Sequence, residues 1–509
     1  MISTIVSSVR KQHVILFSIG LLFFIFSCFV LYTNPAKSIV LILISALLFA
    51  FYSWILSDIV TEPVRLRALG GLALLLIIAL LASTNRSQIS WRPVLGGITL
   101  QFLCGTIFLK WDQGNLGLQW LVTKVVGFLD YTYRGSRFVY GFATSPPPIC
   151  DFSYVFVFTA LQILIFFGAV VELLYHLGVI QVVLKRLAWV MSHLVGTTGS
   201  ESLNAAACIF VGQTEAALLV GNSLSRLTSS ELHTIMTTGF SCIAGSLFSA
   251  FIAFGACPSY LLTATVMSAC VSLSFSKIVC PETEETKDRE FSFAKSPHNN
   301  ILECISAGAT KSAGLVMAVG ANLLVFLALL QSANSVIFYL GDLIGYQGLS
   351  LNRMIGWAFF PLAYMMGASD DADPEIALQE TIYVAELMGI KTVLNEFLAY
   401  KHLAYLISSG KLLGARARMV ATFACCGFSN ISMIGSMLGT LGQLVPERKQ
   451  LLAKLVVRAL ISGALSCFAT ATVAGIIVGN PVGCLPSSNT NCVSLHDLNT
   501  TFNVRQSIN

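Results

Sequence analysis

Residues 205–220 read AAACIFVGQTEAALLV, an apolar run interrupted at its centre by Gly212-Gln213-Thr214-Glu215. An amide, a hydroxyl and a carboxylate side by side are costly in such surroundings. At the centre of a membrane a charged side chain costs about 3 kcal/mol or more, so an ionisable residue there marks a functional site by default. Far along the chain, Asn395-Glu396-Phe397-Leu398-Ala399-Tyr400 repeats the pattern of polar groups inside an apolar stretch. Both islands offer hydrogen-bonding groups suited to a small polar solute.

Composition sets the surroundings of these islands. The chain of 509 residues is 55% hydrophobic and 11% charged, with a mean hydropathy of +0.78. A soluble domain carries roughly 25% charged residues. In lipid only helices and closed barrels satisfy the backbone, and barrel strands alternate apolar and polar residues. The long unbroken apolar runs here therefore predict an all-α polytopic membrane protein. A net charge of +5 is small for this length and gives no reason to expect a nucleic-acid partner. The fourteen cysteines mostly lie in apolar segments, where a thiol behaves as a small hydrophobe. Cys484 and Cys492 differ: they sit in a polar tail, where a disulfide forms only on an oxidising side.

Apolar segments at 14–32, 39–57, 67–83 and 93–109 are each suited to crossing about 30 Å of hydrocarbon. Arg10 and Lys11 before the first place the N-terminus in the cytoplasm. Three crossings put 84–92 outside, where Asn85-Arg86-Ser87 forms a glycosylation sequon; Asn499-Thr500-Thr501 is a second, in the tail. Residues 112–141 are aromatic, Gly-punctuated and too mixed to span, which predicts an interfacial helix. Pro146-Pro147-Pro148 breaks the chain before an apolar helix at 154–178, in which Glu172 either lies at the interface or faces a polar partner.

Further spans are expected at 233–256, 260–278, 314–339, 423–444 and 455–478, with a charged loop at 280–300. Segments 192–220 and 350–374 are interrupted by glycine and polar residues and read as re-entrant hairpins, which membranes tolerate only when buried in protein or lining a watery cavity. Paired broken segments of this kind point to a transporter's binding site. Asp370, Asp371 and Asp373 read as a solvated loop. The histidines lie apart from the buried carboxylates and no nucleophile–base pair is visible, so the chain is not expected to be an enzyme.

Four blocks together resemble the concentrative nucleoside transporters of eukaryotic type. They are Glu201-Ser202-Leu203-Asn204 with Ile209 to Glu215, then 232–246 (LHTIMTTGFSCIAGS), Asn395 to Tyr400, and Cys426 to Ile431 with Val445-Pro446-Glu447-Arg448-Lys449. The likeness covers roughly residues 89–482, in order. It implies about eleven transmembrane helices with two re-entrant hairpins and an interfacial helix, arranged as a scaffold and a transport domain in a homotrimer. The divisions expected are 1–88 (extra N-terminal helices), 89–195 (scaffold and interfacial helix), 196–482 (transport core, with part of the scaffold interleaved) and 483–509 (an extracellular tail). The activity implied is secondary active, cation-coupled uptake of purine and pyrimidine nucleosides across the plasma membrane, with no organic cofactor.

By the same resemblance Gln213 and Thr214 meet the base with Glu215 nearby, and Glu396 and Asn430 take the ribose hydroxyls. Phe428 packs on the nucleoside and Leu247 lines the pocket. The cation site corresponds to Cys208, Val211, Cys242 and Ile243. Here the chain departs from the family, whose sodium-coupled members carry side-chain oxygens where Cys208 and Cys242 stand. Thiols are soft and poor ligands for hard cations, which favours proton over sodium coupling. Met433 replaces a serine at the ribose end, so that either a neighbour such as Ser432 substitutes or ribose selectivity differs. The alternatives carried forward are a cation-coupled carrier of another polar solute, such as a nucleobase, and a nucleoside-binding receptor that transports nothing.

Overall fold

The computed structural model describes residues 38–60, 62–144, 155–159, 161–221, 223–285, 298–346, 348–412 and 414–481. The expected first span at 14–32 with Arg10 and Lys11, the Pro146–Pro148 break, most of the charged loop, and the tail with Cys484, Cys492 and the Asn499 sequon lie outside them. Among the described residues every regular element is helical.

The chain begins with α1 (Ser38–Ile59), α2 (Pro63–Leu81), α3 (Trp91–Gly105), α4 (Asp112–Leu129) and α5 (Tyr131–Tyr140). The α4–α5 segment answers to the expected interfacial helix: Trp120, Tyr131 and Phe138 are exposed along it. A short α6 (Phe156–Thr159) precedes α7 (Ile163–His176) and α8 (Val179–Val195). Gly196, at φ 85°, then turns the chain so sharply that α8 and α9 (Gly199–Cys208) meet at 120°.

Two similar halves follow. In the first, α9 and α10 (Gln213–Leu219) make a hairpin, α11 (Ser229–Ser241) and α12 (Phe248–Ala253) a broken helix, and α13 (Pro258–Val279) a long one. Next come α14 (Ile301–Leu343) and α15 (Leu351–Met365). In the second half α16 (Pro374–Val393) and α17 (Glu396–Ser408) make the hairpin, α18 (Ala415–Cys425) and α19 (Ser432–Leu444) the broken helix, and α20 (Lys449–Ile477) the long one.

Among the described residues six helices are long and apolar enough to span a membrane. The expected continuous spans at 233–256 and 423–444 are broken instead. Cys242 and Cys426 leave helical geometry for extended backbone, and Gly427 adopts φ 142°. The second hairpin is displaced too. The 350–374 segment is no hairpin: α15 runs antiparallel along α16, with Gly356 against Glu386 and Gly389 against Ile355. Its acidic turn joins two full helices, and Asp373 caps α16 by accepting from the Glu375 amide. The hairpin's break falls at Leu394-Asn395, where Asn395 caps α17 through the Leu398 amide. No glycine or proline announces it.

Burial separates two environments. The spanning part of α20 is 94% buried, whereas that of α14 is 6% buried. At 1.5 Å per residue, the 43 residues of α14 reach roughly 65 Å, twice the hydrocarbon thickness, so the helix is longer than one upright crossing needs. Charge pins the central bundle. Lys277 on α13 pairs with buried Glu201 on α9 at 2.6 Å. Arg65 donates to the Ile476 carbonyl (2.7 Å) and Arg416 to that of Gly475 (2.7 Å), supplying positive charge where the α20 dipole ends negative. Among the described residues Cys257 is disulfide-bonded, whereas Cys208, Cys242, Cys425, Cys426 and Cys467 are free thiols.

Candidate substrate and cation site

The arms of the first hairpin form for local reasons. Thr198 and Glu201 make a capping box at the start of α9, the Glu201 carboxylate accepting from the Thr198 amide at 3.0 Å. Gly212 restarts the chain as the N-cap of α10, so Gln213 becomes its first residue. Gln213 is buried, and among the described residues neither its amide nitrogen nor its oxygen finds a partner. A buried polar group left unpaired costs about 1–3 kcal/mol. Its side chain packs over Gly239 beside Met437, where a Cβ on Gly239 would come within 3.0 Å of the Gln213 Cβ.

Thr214 and Glu215 are half-buried. The Glu215 carboxylate lies over Gly212, close enough that a Cβ there would sit 2.6 Å from its Oε2. Its other surroundings are a cavity of 470 Å³ bordered also by Val211, Glu172, Tyr175, His298 and Lys311. His298 approaches Glu172 at 3.4 Å. Glu172 therefore has a polar partner, one of the two readings of it, while remaining partly exposed.

The second hairpin holds its polar groups differently. Glu396 is the first residue of α17, where the helix dipole favours a carboxylate. Its Oε2 accepts from Asn430 Nδ2 at 2.7 Å. The Asn430 oxygen accepts in turn from the Ser432 hydroxyl (2.5 Å) and the Met433 amide (3.0 Å). Ser432 thus orients Asn430, next to Met433, which has no hydroxyl to offer. The Ile431 amide donates to the Thr392 carbonyl, tying the broken helix to the hairpin tip. Glu396 and Asn430 are brought together as the resemblance implied, and Phe428 and Leu247 are both buried in one apolar cluster.

The two broken helices cross at their breaks. The Phe428 amide donates to the Cys242 carbonyl at 3.3 Å, and the Cys467 thiol to the Ser241 carbonyl at 3.4 Å. Gly427 makes the crossing possible, since a Cβ there would meet Cys467 Sγ at 2.5 Å and the Ser241 oxygen at 2.8 Å. Cys208, Val211, Cys242 and Ile243 are all buried. Cys208, Val211 and Cys242 belong to one apolar cluster and Ile243 to the other. Sulfur, not oxygen, is what both cysteine side chains present.

Sequence reasoning passed over Lys391. This lysine is fully buried on α16, and its Nζ donates to Ser429 Oγ at 2.5 Å. Its signal was present, a lone cation within the apolar 384–394 stretch, but it drew no attention beside Glu396.

Two broken hairpins and two crossed broken helices, with polar groups gathered at the breaks, make up the candidate site. Known proteins give the family. Residues 260–475 match the family model described as "Na+ dependent nucleoside transporter C-terminus", residues 70–143 its N-terminal counterpart, and residues 157–257 one described as "Nucleoside recognition". The chain is 39% identical over 454 residues to mouse (Mus musculus) solute carrier family 28 member 3, covering 86% of this chain and 62% of that protein. It is 39% identical over 467 residues to sodium/nucleoside cotransporter 1 of Oryctolagus cuniculus, covering 89% and 68%. The solved structure of CNTnw in an inward-facing substrate-bound state superposes with a TM-score of 0.77 at 32% identity, over 82% of this chain and all of that one. The chain belongs to the concentrative nucleoside transporter family. It spans just under two thirds of the length of the solute carrier family 28 relatives it matches. The names of the cotransporter relatives specify sodium, and none supports the preference for protons drawn from Cys208 and Cys242.

Proposed function

We propose that this protein takes up nucleosides across the plasma membrane by alternating access, driven by a sodium gradient. One observation carries the reading: the hairpins present their polar residues at the same point, the first residue of the second arm. Gln213 offers a donor and an acceptor with no partner among the described residues, which suits the edge of a flat base. Glu396, oriented by Asn430 and Ser432, offers a carboxylate to ribose hydroxyls through charge-assisted bonds. A site built to bond hydroxyls rejects analogues that lack them, which favours nucleosides over nucleobases. Phe428 and Leu247 supply the apolar wall, Thr214 a further hydroxyl at the base. Glu215 stands beside the base, between Gln213 and a cavity of 470 Å³ that it borders.

Sodium, as co-transported cargo, requires oxygen donors. With sulfur at Cys208 and Cys242, that role falls to the peptide carbonyls of Val211 and Ile243, which the helix breaks release from regular pairing. Binding there orders the first hairpin against α11 and raises nucleoside affinity, and the coupling is reciprocal. Residues 196–482 form the moving core and 89–195, with α14 interleaved, the stationary scaffold. The exposed apolar α14 provides the face for a homotrimer and for lipid, with the N-terminus cytoplasmic, the tail extracellular and Asn85 glycosylated.

The test is uptake of labelled uridine, adenosine and uracil in nucleoside-transport-deficient cells, with sodium replaced by choline at two pH values. The expected result is concentrative, sodium-dependent uptake of both nucleosides and little of uracil. Surface-expressed protein that moves neither nucleoside defeats the reading, and uptake indifferent to sodium but dependent on pH defeats its choice of cation.

A further inference from the structure

Lys391 is a buried cation that the site as described does not use. It is fully enclosed, and among the described residues no carboxylate lies within 4.0 Å of its Nζ. Its one hydrogen-bond acceptor is Ser429 Oγ at 2.5 Å, and its Nζ stands 5.4 Å from the Phe468 ring centre. Glu396 is near enough to feel the charge without forming an ion pair. An ammonium taken out of water without an ion-pair partner is costly, so its place at this crossing calls for an explanation.

Position supplies one. Counting four residues back from the N-cap of each hairpin's second arm, Gly212 and Asn395, arrives at Cys208 and at Lys391. Each residue sits just before the tip of its hairpin: Cys208 shares an apolar cluster with Cys242 of the broken helix that follows, and Lys391 donates to Ser429. One half therefore presents uncharged thiols where the other presents a fixed positive charge.

We infer that the Lys391 ammonium is a tethered cation, which holds the tip of the second hairpin on its broken helix as the transported cation holds the first. Lys391 is a positioning residue. It fixes Ser429, next to Asn430, and through that segment the Glu396–Asn430 pair that receives the ribose. The second half then stays closed with or without sodium, and only the first responds to it. This deepens the proposed function and rests on it.

The experiment compares Lys391→Met, which keeps the volume without the charge, with Lys391→Ala, which leaves a hole that a methylammonium ion can enter. Uridine uptake is measured against sodium and uridine concentration, normalised to surface protein. Loss of a charged hydrogen bond predicts a rise in KM for uridine of about tenfold or more in both variants, with sodium half-activation little changed. Added methylammonium restores uptake by Lys391→Ala and leaves Lys391→Met unaffected. A wild-type KM in Lys391→Met, or equal indifference of the two variants to methylammonium, overturns the inference. If Lys391→Met fails to reach the surface, the Ala variant decides alone: rescue upholds the tethered charge, and no rescue refutes it. Failure of the wild-type chain to move uridine strikes the proposed function instead, so the two failures are distinguishable.

Discussion

The first hairpin and the second share a plan and differ in how they treat their polar groups. In the first, Gln213 is buried with neither polar atom paired, and Cys208 and Cys242 bring no charge. In the second, Glu396, Asn430 and Ser432 form a closed chain of hydrogen bonds beside Lys391 and Ser429. Unpaired buried groups keep their interaction energy for a ligand, whereas a satisfied network fixes geometry in advance. One half is therefore built to respond and the other to hold still, which is what coupling a cation to a solute requires of two adjoining surfaces.

Perturbing the fixed half should do the most damage. Glu396→Ala removes the proposed ribose acceptor and leaves Asn430 Nδ2 without its carboxylate. We expect kcat/KM for uridine to fall about a hundredfold or more, read as uptake per surface molecule. A loss of under tenfold would mean that the prewired half is not the ribose site. Gly427→Ala attacks the joint between the halves, where positive φ and a Cβ pressed against Cys467 and Ser241 combine. Roughly 3 kcal/mol of destabilisation follows, read as a lowered melting temperature in detergent. Gly435→Ala is the control, since a Cβ there meets nothing within 4 Å.

The responsive half should give smaller and more selective effects. Gln213→Ala removes an unpaired amide, so the folded protein loses little stability while uridine affinity drops about tenfold. A change in the purine-to-pyrimidine ratio would place Gln213 at the base, and an unchanged ratio would remove it from there. Smallest of all, Cys208→Asn with Cys242→Thr exchanges soft donors for oxygens. Half-activation should move to sodium concentrations lower by about threefold or more. A double variant that transports with unaltered sodium response would show that these side chains do not touch the cation.

Much of this was legible in the chain. The polar island at 212–215 marked the first hairpin, and Asn395 to Tyr400 stood out as its polar partner but not as the tip of a hairpin. The 350–374 segment misled because its glycine and aspartates do end a helix, yet they join two full helices. The break at Leu394-Asn395 is made by an asparagine cap, a signal too common to stand out. The 233–256 and 423–444 segments were hydrophobic enough to look continuous. They break because Cys242 and Phe428 satisfy each other's backbone across the crossing, a partner that no local reading can see.

Apolar composition with sparse, clustered polar residues determined by itself that this chain is a helical membrane protein, and the order of its motifs indicated its family. Hydropathy and short motifs depend on residues near one another in the chain, and they carry that much. Tertiary structure alone decided that Ser432 orients Asn430, that Glu172 shares a cavity with Glu215, and that Lys391 lies opposite Ser429 while Cys208 and Cys242 share an apolar cluster. Burial and pairing determine what a charge does, and both are set by segments that meet only after folding.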